Sequence, residues 1–204
     1  MNTKNTKRFL SVLCVNLRAL CGKSQRSLWL KTNKMFSKNV TRIIIILLLI
    51  VTNVSCDQVT KSIVRRRVLP YAEINLLNSH LVITKVENTG AFLSAGHVLP
   101  GILRFVLLSL LPTVALLFGL YYVLTKHHLS PAALTGLCFI IGGGIGNIFD
   151  RVYHGSVTDF LHIRFGVLQT GIFNMADVSI MTGTGLLLLS WLMNKKKQPD
   201  QSQS

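Results

Sequence analysis

The sequence predicts an α-helical polytopic membrane protein, with four spanning helices and a small β-structured outer surface. Half of the 204 residues are hydrophobic and the mean hydropathy is positive, although the formal net charge is +15. The charge is clustered and the middle of the chain is almost bare, whereas a soluble basic protein would spread its cations evenly. Four apolar segments emerge, at about Val40–Val59, Ile102–Leu124, Pro131–Phe149 and Ala176–Met193. Each approaches the roughly 20 residues that a spanning helix needs at 1.5 Å rise per residue.

In chain order, residues 1–39 carry nine Lys or Arg and no acid, and their apolar content is too broken to span. The segment reads as a basic, membrane-facing or targeting leader, or as residues ahead of a true start at Met35, and it is set aside from the fold. Arg42 followed by IIIILLLIVTNVSC has the outline of a lipoprotein signal peptide ending at Cys56. Asn53 stands where such signals favour Leu, and three further spans follow, so this segment is expected to be the first helix.

Orientation follows from the cations. Lys38 and Arg42 precede span one, Lys126 with His127 and His128 joins spans two and three, and Lys195–Lys197 follow span four. With four spans these share one side, which places both termini in the cytoplasm. Lys61, Arg65, Arg66 and Arg67 disagree, falling outside after span one, where they would meet anionic headgroups or substrate. The outer segment Lys61–Pro100 contains a β-rich run, His80–Glu87, followed by the turn Asn88-Thr89-Gly90. The second outer loop holds another, Val157–Phe165. A small sheet lying on the membrane surface is expected, and the polar stretch 195–204 closes the chain as a tail.

The stretch Gly142–Asp177 holds Asp150, Asp159 and Asp177, three of the seven acidic residues. Acids beside hydrocarbon are costly and mark a candidate functional site. The topology brings Asp57, at the end of span one, Asp150, at the end of span three, and Asp177, at the start of span four, to one interface, with Asp159 on the loop between. Asn88, Asn147, Arg151 and Asn174 fall at the same depth. Asp150 is expected to pair with Arg151 or cap a helix end, and Asp57 to pair with Lys61. Asp159 and Asp177 have no cation three or four residues away; Arg164 is the nearest to Asp159. Two close carboxylates cannot both ionise cheaply, so one serves as acid and the other as base, activating water without metal or nucleophile.

Other motifs carry less. The four cysteines, Cys14, Cys21, Cys56 and Cys138, show neither CxxC nor a His at metal spacing, and Cys56 and Cys138 read as small core residues. GGGIG at Gly142–Gly146 ends an apolar helix and lacks the third glycine of a dinucleotide fingerprint, so close helix contact is expected there. His154 and His162, on one loop, do not make a zinc motif.

DQVTK (Asp57–Lys61), ENTGAF (Glu87–Phe92), GGGIGNIFDR (Gly142–Arg151), GSVTDF (Gly155–Phe160) and FNMAD (Phe173–Asp177) resemble, in order, the motifs of lipoprotein signal peptidase, signal peptidase II. The resemblance spans nearly all of Arg42–Met193. It implies an aspartyl endopeptidase of the bacterial inner membrane, with four helices and a periplasmic β-cradle, a peptidase domain over 40–194, and no metal or other cofactor. Such an enzyme cuts prolipoproteins just before a diacylglyceryl-modified cysteine, works among membrane lipids, is inhibited by globomycin-like antibiotics and has no nucleic-acid partner. Asp159 and Asp177 match the catalytic pair. Asp57, Lys61, Asn88, Gly90, Asn147, Asp150, Arg151 and Asn174 match the residues around it. The basic leader departs from the pattern. A single Ala91 before Phe92-Leu93, where many members have two small residues, would shift the cradle edge without touching the pair.

A small transporter or proton channel is the competing reading, since membrane acids can form a relay. Relays usually place acids at the midplane on broken helices, whereas these cluster at one surface. A structural membrane protein would not need two unpartnered carboxylates.

Overall fold

The computed structural model describes residues 39–90 and 100–195. The leader up to Lys38, the departure at Ala91–Leu93 and the tail beyond Lys195 lie outside the described residues. Two units divide the chain, Met1–Ile45 and Ile46–Ser204. The first contributes only the opening of helix α1 to the described residues, and the second holds all the rest.

Among the described residues four helices are long and apolar enough to cross a membrane: α1 (Asn39–Arg67), α2 (Gly101–Thr125), α3 (Pro131–His154) and α4 (Met175–Lys195). Their outer surfaces are what hydrocarbon requires. Leu48, Val51, Leu117, Phe118, Met181 and Trp191 are all exposed and apolar. The helices thus bury little against one another and leave large side chains for lipid. A buried apolar cluster of Ile46, Ile50, Val123, Cys138 and Ile141 joins α1, α2 and α3. Cys138 fills the core as expected, but Cys56 lies on the exposed side of α1.

Local chemistry sets the helix ends. Ser130 caps α3 by accepting from the Ala133 amide at 3.2 Å, and Pro131 follows at the first position, where its missing N–H costs nothing. Gly155, at φ 76°, ends the helix in the left-handed region that glycine enters without strain. Helix α2 widens into a π-helical turn over Val106–Leu110 just before Pro112. A proline inside a helix removes one hydrogen bond and crowds the preceding turn, and this looser turn takes up that mismatch. Helices α3 and α4 meet through small residues. A side chain at Gly136 would strike the Gly183 backbone, and one at Gly143 the Ala176 carbonyl.

Four antiparallel strands form one sheet in the order β1 (Ile74–Leu76), β2 (Leu81–Asn88), β3 (Val157–Phe165) and β4 (Leu168–Gln169). The two β-rich runs read from the sequence are the central strands. Val86 faces Asp159 and Asn88 faces Val157, with a bulge between Ile83 and Val86. The sheet packs on the end of α1 through Val64, Val68 and Phe160.

Helix α1 corrects the expected span. It runs past Val59 to Arg67, so Asp57 lies inside the helix and does not end it. Asp150 likewise sits inside α3, a turn before His154. Polar residues are tolerated there because they satisfy one another.

Candidate active site

Lys61 is the largest side chain to be completely buried, and three groups hold it. Its Nζ lies 2.7 Å from Asp57 Oδ2, 2.9 Å from Asp150 Oδ2 and 2.9 Å from Asn147 Oδ1. Asp57 and Asp150 are themselves fully buried. A buried ion is strongly destabilising if unpaired, so these groups stand or fall together. Asp57 uses its other oxygen to accept from the Ala176 amide at 2.9 Å, satisfying a backbone donor in the first turn of α4. Gln58 ties the cluster to α3, with Nε2 lying 3.1 Å from Asp57 Oδ2, Gly146 O and Asp150 Oδ1.

The expected Asp150–Arg151 pair is not formed. Asp150 is claimed by Lys61 and by Arg65, whose Nη2 stands 2.8 Å from Asp150 Oδ1 in an ion pair that is Coulombic more than directional. Arg151, on the next position of α3, makes no ion pair with Asp150. Its Nε is buried without a hydrogen-bond partner among the described residues. The outer cation cluster also divides. Lys61 and Arg65 are spent on Asp57 and Asp150, and only Arg66 and Arg67 are left exposed, which halves the conflict with the charge rule for orientation.

The two remaining carboxylates come from different layers. Asp159 is on β3 and 5% exposed; Asp177 is in the first turn of α4. Asn88 Nδ2 donates to Asp159 Oδ2 at 3.0 Å, and Asn174 Nδ2 donates to Oδ1 at 2.6 Å. The Gly90 amide holds the Asn88 carbonyl at 3.0 Å, which turns the Asn88 NH₂ toward Asp159. Asn174 and Asp177 form a reciprocal cap at the start of α4. The Asp177 amide donates to Asn174 Oδ1 at 3.0 Å and the Asn174 amide to Asp177 Oδ2 at 3.2 Å. Asn147 Nδ2 donates to Asp177 Oδ1 at 2.9 Å. Asn174 therefore touches both acids, while Arg164, the nearest cation in sequence, turns away to pair with exposed Glu73 at 2.6 Å.

Burial is the main influence on Asp159. Loss of water pushes its carboxyl up to about 6, the Asn88 and Asn174 hydrogen bonds oppose this, the charge of Asp177 adds to it, and Lys61 opposes it more weakly. A carboxyl so placed keeps its proton more readily than a free aspartic acid. Among the described residues no three His, Cys, Asp or Glu side chains gather as metal ligands. His154 is exposed at the end of α3 and His162 is buried on β3.

All ten residues singled out from the sequence lie in or beside this cluster. Arg65, Gln58, Glu87 and Thr158 were not anticipated. Arg65 had a signal, since Asp57, Lys61 and Arg65 recur every four residues and so line one helix face.

The signal peptidase (SPase) II family model matches residues 30–193. The chain belongs to the signal peptidase II family. Lipoprotein signal peptidases of Bacillus pumilus and Clostridioides difficile resemble it. The first is 33% identical over 72% of this chain and 91% of its own length, the second 34% identical over 74% and 97%. That of Haemophilus ducreyi is 34% identical over 72% of this chain and 90% of its own. A bacterial membrane enzyme structure solved in meso at 2.3 Å resolution superposes with a TM-score of 0.68 at 25% identity, over 79% of this chain and 96% of that one. Signal peptidase II is a membrane protease, so family and helices together point to the bacterial inner membrane.

Proposed function

We propose that this protein is an aspartyl endopeptidase that removes signal peptides from prolipoproteins, cutting just before a diacylglyceryl-modified cysteine. One observation carries the mechanism: Asn174 holds two carboxylates at once, buried Asp159 on the sheet and Asp177 at a helix start. In the reaction Asp177 is the base and Asp159 the acid. Asp177 sits where backbone amides favour a negative charge. It takes a proton from water as the oxygen attacks the scissile carbonyl, and Asp159 donates its proton to the carbonyl oxygen. As the C–N bond breaks, Asp177 passes its proton to the cysteine nitrogen and Asp159 takes one back from a hydroxyl of the tetrahedral centre, so the amine and the carboxylic acid product leave and the pair returns to its starting protonation. Bound substrate excludes water and pushes Asp159 further toward its protonated form.

A substrate anchored by lipid must be cut beside the membrane, and the site lies where helices meet sheet. An apolar cavity of about 320 Å³ between α2 and α3, lined by Leu116, Leu120, Ile145, Phe149 and Val152, would take acyl chains. On this reading the active site faces the periplasm, both termini are cytoplasmic, no metal takes part, and globomycin-like antibiotics compete for the same site. The test is cleavage of a diacylglyceryl-modified prolipopeptide by the purified protein, beside the unmodified peptide and the Asp177→Asn variant. Cleavage of the modified peptide alone, unaffected by chelators and absent in the variant, is expected. Equal cleavage of the unmodified peptide, or loss on chelation restored by zinc, overturns the reading.

A further inference from the structure

The sheet-borne and helix-borne carboxylates can work as a pair only if sheet and helices keep a fixed separation. Asn174 joins the two layers on the Asp159 face of β3, and on the opposite face a second side chain, Arg65, does so. Thr158 immediately precedes Asp159 on β3, so the two side chains point to opposite faces of the strand. Thr158 is completely buried, and its Oγ1 accepts from Arg65 Nε at 2.7 Å while donating toward Glu87 at 3.0 Å. Ser156 Oγ donates to the same Glu87 carboxylate at 2.6 Å, so the strand approaching Asp159 is held on both neighbours.

The far side of the same guanidinium reaches Asp150 on α3, 2.8 Å from Nη2. Asp150 meets Lys61, Lys61 meets Asn147, and Asn147 donates to Asp177. A continuous side-chain path thus leads from the residue next to one candidate catalytic acid to the other acid itself. Arg65 is the sole member of that path that spans the gap between strand and helices.

Resting on the aspartyl-pair reading above, we propose that Arg65 and Thr158 form a positioning latch that sets the distance between Asp159 and Asp177. Arg65 does not touch the reacting atoms. It holds β3 from the face opposite Asp159, its Nε donating to Thr158 while the Nη2 end sets its charge against Asp150. A lysine presents a point charge on a flexible stem and cannot reproduce both contacts. The hydroxyl of Thr158 is the other half, and serine retains it whereas valine does not.

A misplacement of about 1 Å can cost roughly 100-fold in rate. Turnover per membrane-inserted molecule is therefore expected to fall about 10- to 100-fold in Arg65→Met, with KM for the lipidated prolipopeptide within about twofold of the parent. Arg65→Lys should not restore kcat. Thr158→Val should lose as much as Arg65→Met, Thr158→Ser should regain most of the parent rate, and Arg65→Met combined with Thr158→Val should lose no more than either alone. Unchanged kcat in Arg65→Met, additive losses in the double variant, or an equal loss in Thr158→Ser overturns the latch. Asp159→Asn and Asp177→Asn are assayed beside them. Wild-type turnover in these sinks the aspartyl pair and the latch with it, whereas inactive Asn variants beside a fully active Arg65→Met sink the latch alone.

Discussion

Asn174 donates from its side-chain amide to Asp159 Oδ1 at 2.6 Å, the shortest hydrogen bond to either candidate catalytic acid among the described residues. The same residue caps Asp177 through two further bonds. A residue that serves both carboxylates makes them one unit. Asp159→Asn and Asp177→Asn should each lower cleavage per inserted molecule by about 1,000-fold or more, and the double variant should lose little beyond either single one. Cleavage of lipidated substrate, normalised to membrane-inserted protein, is the measurement.

The burial of Asp159 makes a prediction in pH. Its carboxyl is pushed up to about 6 from an ordinary 3.8, so the native state holds a proton there that the unfolded chain has released. Stability from this group is therefore greatest below about pH 4 and is lost as pH rises through about 6, by on the order of 3 kcal/mol. The apparent Tm of Asp159→Asn relative to the parent should rise between pH 4 and pH 7. If Asp159 is the proton donor, kcat/KM should begin to fall above about pH 6, since that ratio reports the free enzyme. A pH-independent difference in Tm would contradict the assignment.

Asp150 should behave differently from the pair. Its removal leaves the buried Lys61 with Asp57 and the neutral Asn147, and takes from Arg65 its carboxylate. Breaking a buried ion pair by removing one partner costs roughly 3–5 kcal/mol. Asp150→Asn is expected to reduce the amount of inserted protein, with turnover per molecule falling no further than in Arg65→Met. Complete loss of turnover at full protein level would place Asp150 in the chemistry.

Two glycines of α4 separate packing from propensity. A side chain at Gly183 would strike the Gly136 carbonyl, while one at Gly185 meets nothing within 4 Å. Gly183→Ala should lower the apparent Tm in detergent by several degrees. Gly185→Ala should leave it unchanged or raise it slightly, because alanine favours a helix by about 1 kcal/mol over glycine. Equal effects would mean that α3 and α4 are not in backbone contact at Gly183.

Orientation is checked by reporter fusions. One near Asn78 should read periplasmic, and others after Leu124 and Met193 cytoplasmic, because Lys38, Arg42, Lys126 and Lys195–Lys197 lie at the ends that the charge rule assigns to the cytoplasm. A cytoplasmic signal at Asn78 would put the acids on the other face of the membrane.

Hydropathy alone marks the four helices, because a bilayer demands long apolar runs whatever packs inside them. Strand β3 is legible as Val157–Phe165, and β2 nearly so, since β-branched residues cluster between turn signals. The isolation of Asp159 and Asp177 from local cations is also written in the sequence, and FNMAD carries the helix cap that orients Asp177. Tertiary structure decided the rest. The length of α1 could not be read past Val59, because Lys61 and Arg65 are tolerable in a buried helix only once Asp57 and Asp150 arrive to neutralise them. Asp150 passed over its neighbour Arg151 because consecutive residues on a helix point about 100° apart, while α1 brought Lys61 and Arg65 to within 3 Å. Such pairings depend on which helix faces which. That is settled by glycine contacts and strand register far away in sequence, and no local pattern encodes it.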